Sequence, residues 1–263
     1  MSACPVCHAP LPAPLYTSVG GTSITSLCEL HPEPTRLRFC GDCSHAATDA
    51  LEDVEGYYDH AYKILIDSEE EDQIYEVRPD GIIYRVQHQV ETLLKLVPLA
   101  EGARLLDYGC AKSATMRALH AVRPDVEPHL FDVSEMYVPF WEKFLTPDRW
   151  ATYRPRPEWA GRFDVVTSFF ALEHVVDLAG ALAQVRGLLK PDGTFYFIVP
   201  NPYFNTADMI VIDHVNHFSR SSLVTMLARA GFTDVAIDEA AHAGTFVVRA
   251  RPGETRPETL PAP

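Results

Sequence analysis

RLLDYGCAKSATMRAL, residues 104–119, decides the fold, because it reads as a buried strand that enters a helix through a short turn. α/β proteins place glycines at such a junction so that the backbone can approach a nucleotide's phosphates. This turn has one glycine, Gly109, and continues with Ala111 and Lys112. The stretch therefore predicts a strand–turn–helix unit whose ligand is nucleotide-like but brings no pyrophosphate.

Strand-like and helix-like runs alternate on both sides of this stretch. The apolar pattern predicts a helix over 85–97 and then strands over 104–109, 127–132, 163–170, 194–199, 233–238 and 245–250. Helices are predicted near 113–122, 135–145, 178–189 and 220–230. Such alternation predicts a mostly parallel, Rossmann-like α/β sheet covered by helices on both faces. The loop between the last two strands, AAHAG, is too short for a crossover, so these strands should form an antiparallel hairpin.

The rest of the chain divides by composition. Residues 1–48 form a small unit that is too short to bury a core without metal. Residues 49–84 form an acidic arm rich in tyrosine, whose acids we interpret as a solvated helix face. Residues 85–251 form the α/β domain. The tail, 252–263, is rich in Pro and Glu and is predicted to be disordered.

Acidic side chains stand at the carboxyl ends of two predicted strands. Asp107 and Gly109 end the first strand, and Asp132 ends the second. In an open parallel sheet the ligand lies beyond these ends, and an acid after the second strand suits two ribose hydroxyls. A nucleoside without phosphate needs no further glycine, and Ala111 is small enough for the turn. S-adenosylmethionine fits this requirement, because it has a ribose and carries its charge on a sulfonium.

Composition limits the partners. The net charge of -14 disfavours nucleic acid and anionic membranes. No apolar run approaches the roughly 20 residues that span a bilayer. The N-terminus, MSACPVCHAP, shows no secretory signal, so we expect a cytoplasmic protein with a small-molecule substrate. The sequence does not indicate an oligomeric state.

The cysteines predict a metal site. Cys4 and Cys7 form one CxxC pair, and Cys40 and Cys43 form another. Two such pairs beside Pro or Gly turns can supply four thiolates to one structural Zn²⁺. The alternative is a pair of unrelated thiol turns. His8, His31 and His45 are also close enough along the chain to replace a cysteine.

These motifs resemble a known family. The segment Leu106-Asp107-Tyr108-Gly109-Cys110-Ala111 resembles the first motif of class I S-adenosylmethionine-dependent methyltransferases. The four-cysteine unit, Gly56-Tyr57-Tyr58, Glu173-His174 and an HxxHFS segment together resemble zinc-containing sugar C-methyltransferases of natural-product pathways. The resemblance covers about residues 1–250 and implies that the Tyr57/Tyr58 arm closes over the cofactor. Those enzymes continue into another C-terminal domain, which this sequence does not contain.

Two polar segments are candidates for proton transfer. Glu173 and His174 follow the fourth predicted strand, where His174 could act as general base and Glu173 could position it. His174 could instead cap the next helix or bond within the core. Asp213, His214 and His217 lie in DHVNHFS, where His217 is either a rival base or part of a helix cap. An Asp/His cluster of this kind can also bind a divalent metal.

The predicted activity is methylation of a carbon or an oxygen of a small molecule, such as a nucleotide-linked sugar. One alternative is an NAD-dependent Rossmann oxidoreductase, which residues 109–114 disfavour because they lack its glycines. The other is a non-catalytic zinc-ribbon interaction protein with a decayed methyltransferase domain. Asp107, Asp132 and the Glu173-His174 pair disfavour that reading, because a decayed site has no need of them.

Overall fold

A computed structural model describes residues 3–62, 68 and 71–254 of the chain. Most of the predicted disordered tail, residues 255–263, lies outside the described residues. In the described parts of the chain, no helix has the length and apolarity that a membrane-spanning segment requires.

The N-terminal unit is a small β structure. Its strands are β1 (Tyr16–Thr17), β2 (Ser23–Ile24), β3 (Leu30–His31), β4 (Arg36–Phe39) and β5 (Ala46–Thr48). β4 pairs antiparallel with both β1 and β5, and β2 pairs with β3. Each CxxC pair lies in a tight turn, where the amide of His8 donates to the carbonyl of Cys4 and that of Ser44 donates to Cys40.

The arm contains a short helix and a hairpin. The helix α1 (Val54–Gly56) continues as a π-helical turn over Tyr57–Ala61. β6 (Ile74–Arg78) and β7 (Gly81–Tyr84) then pair antiparallel around Pro79 and Asp80. The interpretation of the arm's acids as a helix face is therefore wrong for residues 74–84. The Pro-Asp-Gly sequence favours a tight turn, and that turn brings the two short strands together.

The α/β domain follows the predicted alternation. Its strands are β8 (Arg104–Tyr108), β9 (Glu127–Asp132), β10 (Trp150–Thr152), β11 (Phe163–Phe169), β12 (Leu189–Pro200), β13 (Asn216–His217), β14 (Phe232–Asp238) and β15 (Thr245–Pro252). Its helices are α2 (Arg85–Leu96), α3 (Ala114–Val122), α4 (Val138–Trp141), α5 (Leu178–Leu188) and α6 (Arg220–Arg229). The helix predicted over 135–145 is shorter in the structure, where α4 is a single turn over Val138–Trp141. Pro139 at its start and Pro147 soon after its end restrict its length.

The central sheet has the order β10-β9-β8-β11-β12-β15-β14. β8, β9, β10, β11 and β12 run parallel to one another, and β15 runs antiparallel to both of its neighbours. The predicted terminal hairpin forms between β14 and β15. The antiparallel strand β15 lies one place in from the edge, because it inserts between β12 and β14.

Side chains of the central strands alternate between two buried apolar layers. Leu105 of β8 packs with Leu93 of α2 and Met116 of α3 on one face. Leu106, its neighbour in sequence, packs with helices α5 and α6 on the other face, in a layer that also includes Cys4 and Cys40. The sheet is therefore covered on both sides, as parallel sheets require.

β13 belongs to a different sheet from its neighbours in sequence. Asn216 and His217 pair antiparallel with Ala47 and Ala46 of β5, which extends the order of the N-terminal sheet to β1-β4-β5-β13. A strand from the α/β half of the chain thus completes the N-terminal sheet.

Candidate functional site

The turn after β8 is strained and closely packed. Gly109 has a φ of +74°, and two residues with side chains, Ala111 and Ser113, also adopt positive φ, at +44° and +58°. A Cβ placed on Gly109 would lie 2.6 Å from the Cβ of Ala171, so only glycine fits there. Non-glycine residues in this backbone region concentrate at ligand sites, where surrounding structure holds them.

Asp132, at the end of β9, supports this turn. Its Oδ2 accepts a hydrogen bond from the amide of Ala111 at 2.7 Å, and its Oδ1 accepts from Ser134 at 3.2 Å. Burial raises the pKa of Asp132 to about 6, so the group is ionised at neutral pH. An ionised carboxylate has about four acceptor positions, which leaves two for a ligand's hydroxyls.

Asp107, the predicted neighbour of Asp132, ends β8 beneath the same turn. Its Oδ1 accepts from the hydroxyl of Thr167 at 2.9 Å. Burial, reinforced by the charge of Asp132, raises the pKa of Asp107 to about 7 against the lowering effect of the Thr167 hydrogen bond. Burial therefore makes both acids bind a proton more readily than an exposed carboxyl does.

A cavity of about 440 Å³ opens over these residues. Its lining joins the arm, the turn after β8, the end of β9 and the segment after β11, and includes Tyr58, Tyr62, Arg85, Gly109, Asp132 and His174. The structure thus brings the predicted turn, the predicted acids and the predicted base to one cavity at the carboxyl ends of the parallel strands.

His174 lies on the wall of this cavity. Its Nδ1 is 2.9 Å from the carbonyl oxygen of Asp213 and 3.0 Å from the hydroxyl of Tyr58. Burial and the neighbouring His214 lower the pKa of His174 to about 4, so its ring is neutral at neutral pH. Asp177 caps helix α5 by accepting from the amide of Gly180, so His174 is not the cap of that helix.

The arm reaches the site through its tyrosines. The rings of Tyr58 and Tyr62 stand edge-on to His174, with centroids 5.9 Å and 5.4 Å from it. The hydroxyl of Tyr57 donates to Oδ2 of Asp213 at 3.2 Å, and Tyr57 is not among the cavity-lining residues. The expectation for Tyr57 is therefore wrong as to the cavity itself, because Tyr62 and not Tyr57 lines it beside Tyr58.

Glu173 is fully enclosed beside His174. Only 1% of its surface is exposed, and its Oε2 has no hydrogen-bond partner among the described residues. Burial raises the pKa of Glu173 to about 7. The ligand atoms of Glu173, His174 and His214 all lie within 4.8 Å of one another, close enough to hold a divalent cation.

His214 forms a pair that the sequence analysis missed. Its Nδ1 lies 2.7 Å from Oδ1 of Asp208. Burial alone would lower the pKa of His214, but the hydrogen bond and charge of Asp208 outweigh it and raise the pKa. Its ring stands edge-on to that of His174, with centroids 4.6 Å apart. His214 of the DHVNHFS segment and Asp208 from the preceding loop therefore form a hydrogen-bonded acid–base pair behind the cavity wall.

His217 occupies a different position from His174. It is 1% exposed and is not among the cavity-lining residues. Its Nε2 is 2.9 Å from the hydroxyl of Thr48, and its Nδ1 is 3.6 Å from Oδ2 of Asp208. Ser219, with Ser222, forms the capping box of α6, so His217 does not cap that helix.

The four predicted zinc ligands lie together in the N-terminal unit. The Sγ atoms of Cys4 and Cys43 are 3.6 Å apart, and those of Cys7 and Cys40 are 3.4 Å apart. Four thiolates at about 2.3 Å from a tetrahedral Zn²⁺ are separated by about 3.8 Å, close to these distances. Cys28 and Cys110 lie outside this cluster. His45 is buried against Phe218 and has no hydrogen-bond partner among the described residues.

A parallel sheet with this strand order, a glycine turn after β8 and a buried acid after β9 define a class I S-adenosylmethionine-dependent methyltransferase fold. A family profile described as a methyltransferase domain matches residues 81–237. The chain belongs to this methyltransferase family, and the predicted fold class is confirmed.

Comparison with individual proteins agrees with this assignment. A 96-residue segment, 34% of the chain, is 35% identical to C-methyltransferase NovU of Streptomyces niveus, of which it covers 22%. A 50-residue segment, 18% of the chain, is 46% identical to juvenile hormone acid O-methyltransferase of Drosophila melanogaster, of which it covers 17%. The matches thus span about a fifth of the length of these curated relatives.

The fold is also found in solved structures. Human N-acetylserotonin methyltransferase in complex with S-adenosylmethionine aligns with 63% of this chain and 52% of its own, at a TM-score of 0.52 and 17% identity. At this identity the similarity concerns the fold.

Proposed function

We propose that the protein transfers a methyl group from S-adenosylmethionine to a carbon or an oxygen of a small molecule, with His174 as the general base. One observation carries this proposal. His174 lies on the wall of the same cavity as Gly109 and Asp132, with its Nδ1 already engaged by backbone and tyrosine.

The residues at the turn fit the cofactor. Asp132 supplies two remaining acceptor positions for the ribose hydroxyls, and Gly109 and Ala111 leave space for the sugar. Asp107, beneath the turn, supports the same site. S-adenosylmethionine supplies a methyl group that its sulfonium has already activated. The protein's own task is then to hold the acceptor in line, exclude water and remove a proton.

His174 is positioned to remove the proton from the acceptor. The Asp213 carbonyl can only accept, so Nδ1 carries the ring hydrogen and Nε2 is left as the basic nitrogen. Among the described residues no hydrogen bond occupies Nε2. Glu173 and the hydrogen-bonded His214–Asp208 pair lie behind the ring and do not line the cavity. Tyr58 and Tyr62 cover the ring and restrict water.

The nature of the acceptor is open between two chemistries. If it is a carbon next to a ketone, such as that of a nucleotide-linked keto-sugar, His174 removes the α-proton and the resulting enolate carbon takes the methyl group. If it is a hydroxyl, His174 deprotonates oxygen. The resemblance to a C-methyltransferase supports the first, and the match to an O-methyltransferase supports the second.

We further propose that one structural Zn²⁺ binds Cys4, Cys7, Cys40 and Cys43. The sulfur distances and the burial of Cys4, Cys40 and Cys43 support this site. The ion would stabilise the unit over residues 1–48. The arm, 49–84, contributes Tyr58 to the cavity, and residues 85–251 carry the proposed cofactor site. The cytoplasmic location stays a prediction.

Thermal unfolding with added ligand tests the proposed function. S-adenosylmethionine and S-adenosylhomocysteine should raise the unfolding temperature, and NAD should not. Stabilisation by NAD alone would favour the oxidoreductase alternative, and no stabilisation by any of the three would favour a non-catalytic protein. Incubation with a panel of nucleotide-linked keto-sugars and hydroxylated small molecules, read by mass spectrometry for a gain of one methylene, then identifies the acceptor class.

A further inference from the structure

The N-terminal unit reaches the surroundings of His174 through one serine. Ser26 lies two residues after β2. Its amide donates to Oδ1 of Asp213 at 2.7 Å, and its hydroxyl donates to Oδ2 at 2.6 Å. The two residues are 187 positions apart in the chain. A single residue of the N-terminal unit therefore binds both carboxylate oxygens of Asp213.

The carboxylate of Asp213 depends on these bonds. Its side chain is fully buried, with 0% of its surface exposed. A buried carboxylate is costly unless hydrogen bonds replace those it made to water. The hydroxyl of Tyr57 supplies one such bond, at 3.2 Å, and Ser26 supplies two that are shorter. Ser26 is therefore the main partner that holds the Asp213 side chain in place.

Backbone contacts align the same two parts of the chain. The amide of Ile212 donates to the carbonyl of Ile24 at 2.9 Å. The hydroxyl of Thr35 donates to the carbonyl of Ile210 at 2.8 Å. The N-terminal unit thus contacts the segment that leads to Asp213 at several successive residues, and the Ser26 contact is the last of them before the cavity wall.

Asp213 in turn holds the ring of His174. Its backbone carbonyl oxygen is 2.9 Å from Nδ1 of His174, and its Oδ2 is 3.9 Å from the same nitrogen. The carbonyl accepts the ring hydrogen, and a nearby carboxylate stabilises the positive charge that the ring acquires when Nε2 takes a proton. Both groups belong to one residue, so a displaced Asp213 side chain would disturb the carbonyl as well.

We propose that Ser26 is a positioning residue for His174 and acts through Asp213. This assignment rests on the proposed function, since it requires His174 to be the base. Ser26 holds the Asp213 carboxylate, Asp213 holds the Nδ1 hydrogen of His174, and Nε2 is kept available for the acceptor. The N-terminal unit then contributes to proton transfer without touching the substrate.

NMR at neutral pH tests this role without turnover. The signal of the Nδ1 hydrogen of His174 is assigned by its absence from His174→Asn, and its exchange with water measures how firmly the ring is held. Ser26→Ala keeps the amide but loses the hydroxyl, so this exchange should be roughly tenfold faster, as expected for one lost hydrogen bond to a charged group. Ser26→Thr keeps both donors and should exchange as the wild type does.

Ser18→Ala is the matched control in the same unit. The hydroxyl of Ser18 donates to the carbonyl of Thr22 at 2.6 Å and accepts from the amide of Thr35 at 3.0 Å. Its loss removes hydrogen bonds within the unit but none to Asp213, so the His174 exchange should match the wild type. The backbone amides of β5 should exchange at the wild-type rate in all three serine variants.

Other outcomes overturn the assignment. Unchanged exchange at His174 in Ser26→Ala would mean that the ring does not depend on Ser26. Faster exchange of the β5 amides to the same extent as His174 would limit Ser26 to the stability of the N-terminal unit. S-adenosylhomocysteine should bind Ser26→Ala as tightly as the wild type in calorimetry, and weaker binding would assign Ser26 to the cofactor site. A wild-type protein that does not bind it would overturn the proposed function, while the exchange comparison would still decide the role of Ser26.

Discussion

The hydroxyl of Tyr58 lies 3.0 Å from Nδ1 of His174, a residue 116 positions later in the chain. This contact joins the arm to the segment after β11. The same hydroxyl is 3.4 Å from the carbonyl oxygen of Asp213, to which it can donate while it accepts from Nδ1. The arm therefore helps to fix the tautomer of His174 as well as to cover it.

Replacing His174 should affect catalysis and not cofactor binding. We expect His174→Asn to lower kcat by about 10²- to 10⁴-fold, the range of a positioned general base, with S-adenosylhomocysteine affinity unchanged. Because burial lowers the pKa of His174 to about 4, its ring is neutral above that pH, and its protonation should reduce the rate only as the pH falls through about 4. Steady-state kinetics and calorimetry on the same preparation measure both effects.

His217→Asn is the matched comparison within the DHVNHFS segment. It removes the hydrogen bond to Thr48, so we expect a loss of about 1 kcal/mol in the free energy of unfolding and near-normal turnover by the folded enzyme. Urea denaturation and kinetics measure these quantities. If His217→Asn abolishes turnover while His174→Asn remains active, the base belongs to the DHVNHFS segment.

Asp132→Ala should weaken the cofactor site. The substitution removes the carboxylate that accepts a hydrogen bond from the amide of Ala111. It also removes the acceptor positions that we assign to the ribose hydroxyls. We expect S-adenosylhomocysteine to bind roughly ten- to a hundredfold more weakly, from the loss of a charge-assisted pair of hydrogen bonds. Calorimetry with Asp192→Ala, an exposed position on β12, provides the control. Unchanged affinity in a folded Asp132→Ala protein would mean that another carboxylate binds the ribose.

Asp107 should make the unliganded protein less stable as the pH rises. Burial raises its pKa to about 7 from an ordinary value of 3.8, so its stabilising contribution is present below pH 3.8 and is lost as the pH rises to 7. Asp107→Asn keeps an acceptor for Thr167 and does not titrate. The variant should therefore gain stability relative to the wild type between pH 4 and pH 8, on the order of 4 kcal/mol. Urea unfolding at several pH values measures this difference, and parallel curves for the two proteins would contradict it.

Removing one cysteine of the cluster should release the metal. Purified wild-type protein should contain about one zinc per chain by elemental analysis. Cys43→Ser should lower the zinc content and the unfolding temperature, whereas Cys28→Ser, at an exposed cysteine outside the cluster, should change neither. A metal-free wild-type protein with a folded N-terminal unit would refute the zinc site.

The sequence predicted the central sheet well because long apolar runs bounded by turns are local signals. The hairpin of β6 and β7, by contrast, lay within an acidic segment where charge dominated the interpretation. β10 and β13 contain three and two residues, too few to show any periodicity. The partner of β13, β5, also lies far away in the chain, so local pattern could not reveal that pairing.

The candidate site also contains residues that local sequence predicts and residues that only tertiary structure brings together. Gly109, Asp132 and His174 were predictable because each follows a predicted strand at the edge where ligands bind. Tyr62, Asp208 and Arg85 reach the cavity or its surroundings by long-range packing of the arm and of the loop before β13. A signal for Arg85 existed, since it stands at the start of the predicted helix over 85–97, but its approach to Phe170 depends on tertiary structure.

The strand β13 makes the first 48 residues inseparable from the rest of the protein. Without β5, the backbone amides and carbonyls of Asn216 and His217 would form an open edge, a template for pairing with a second chain. The loop that carries Asp208, Asp213 and His214 leads directly into this strand. Truncation before residue 49 should therefore yield a self-associating protein with a displaced histidine cluster, and the N-terminal unit cannot be exchanged between homologues as an independent cassette.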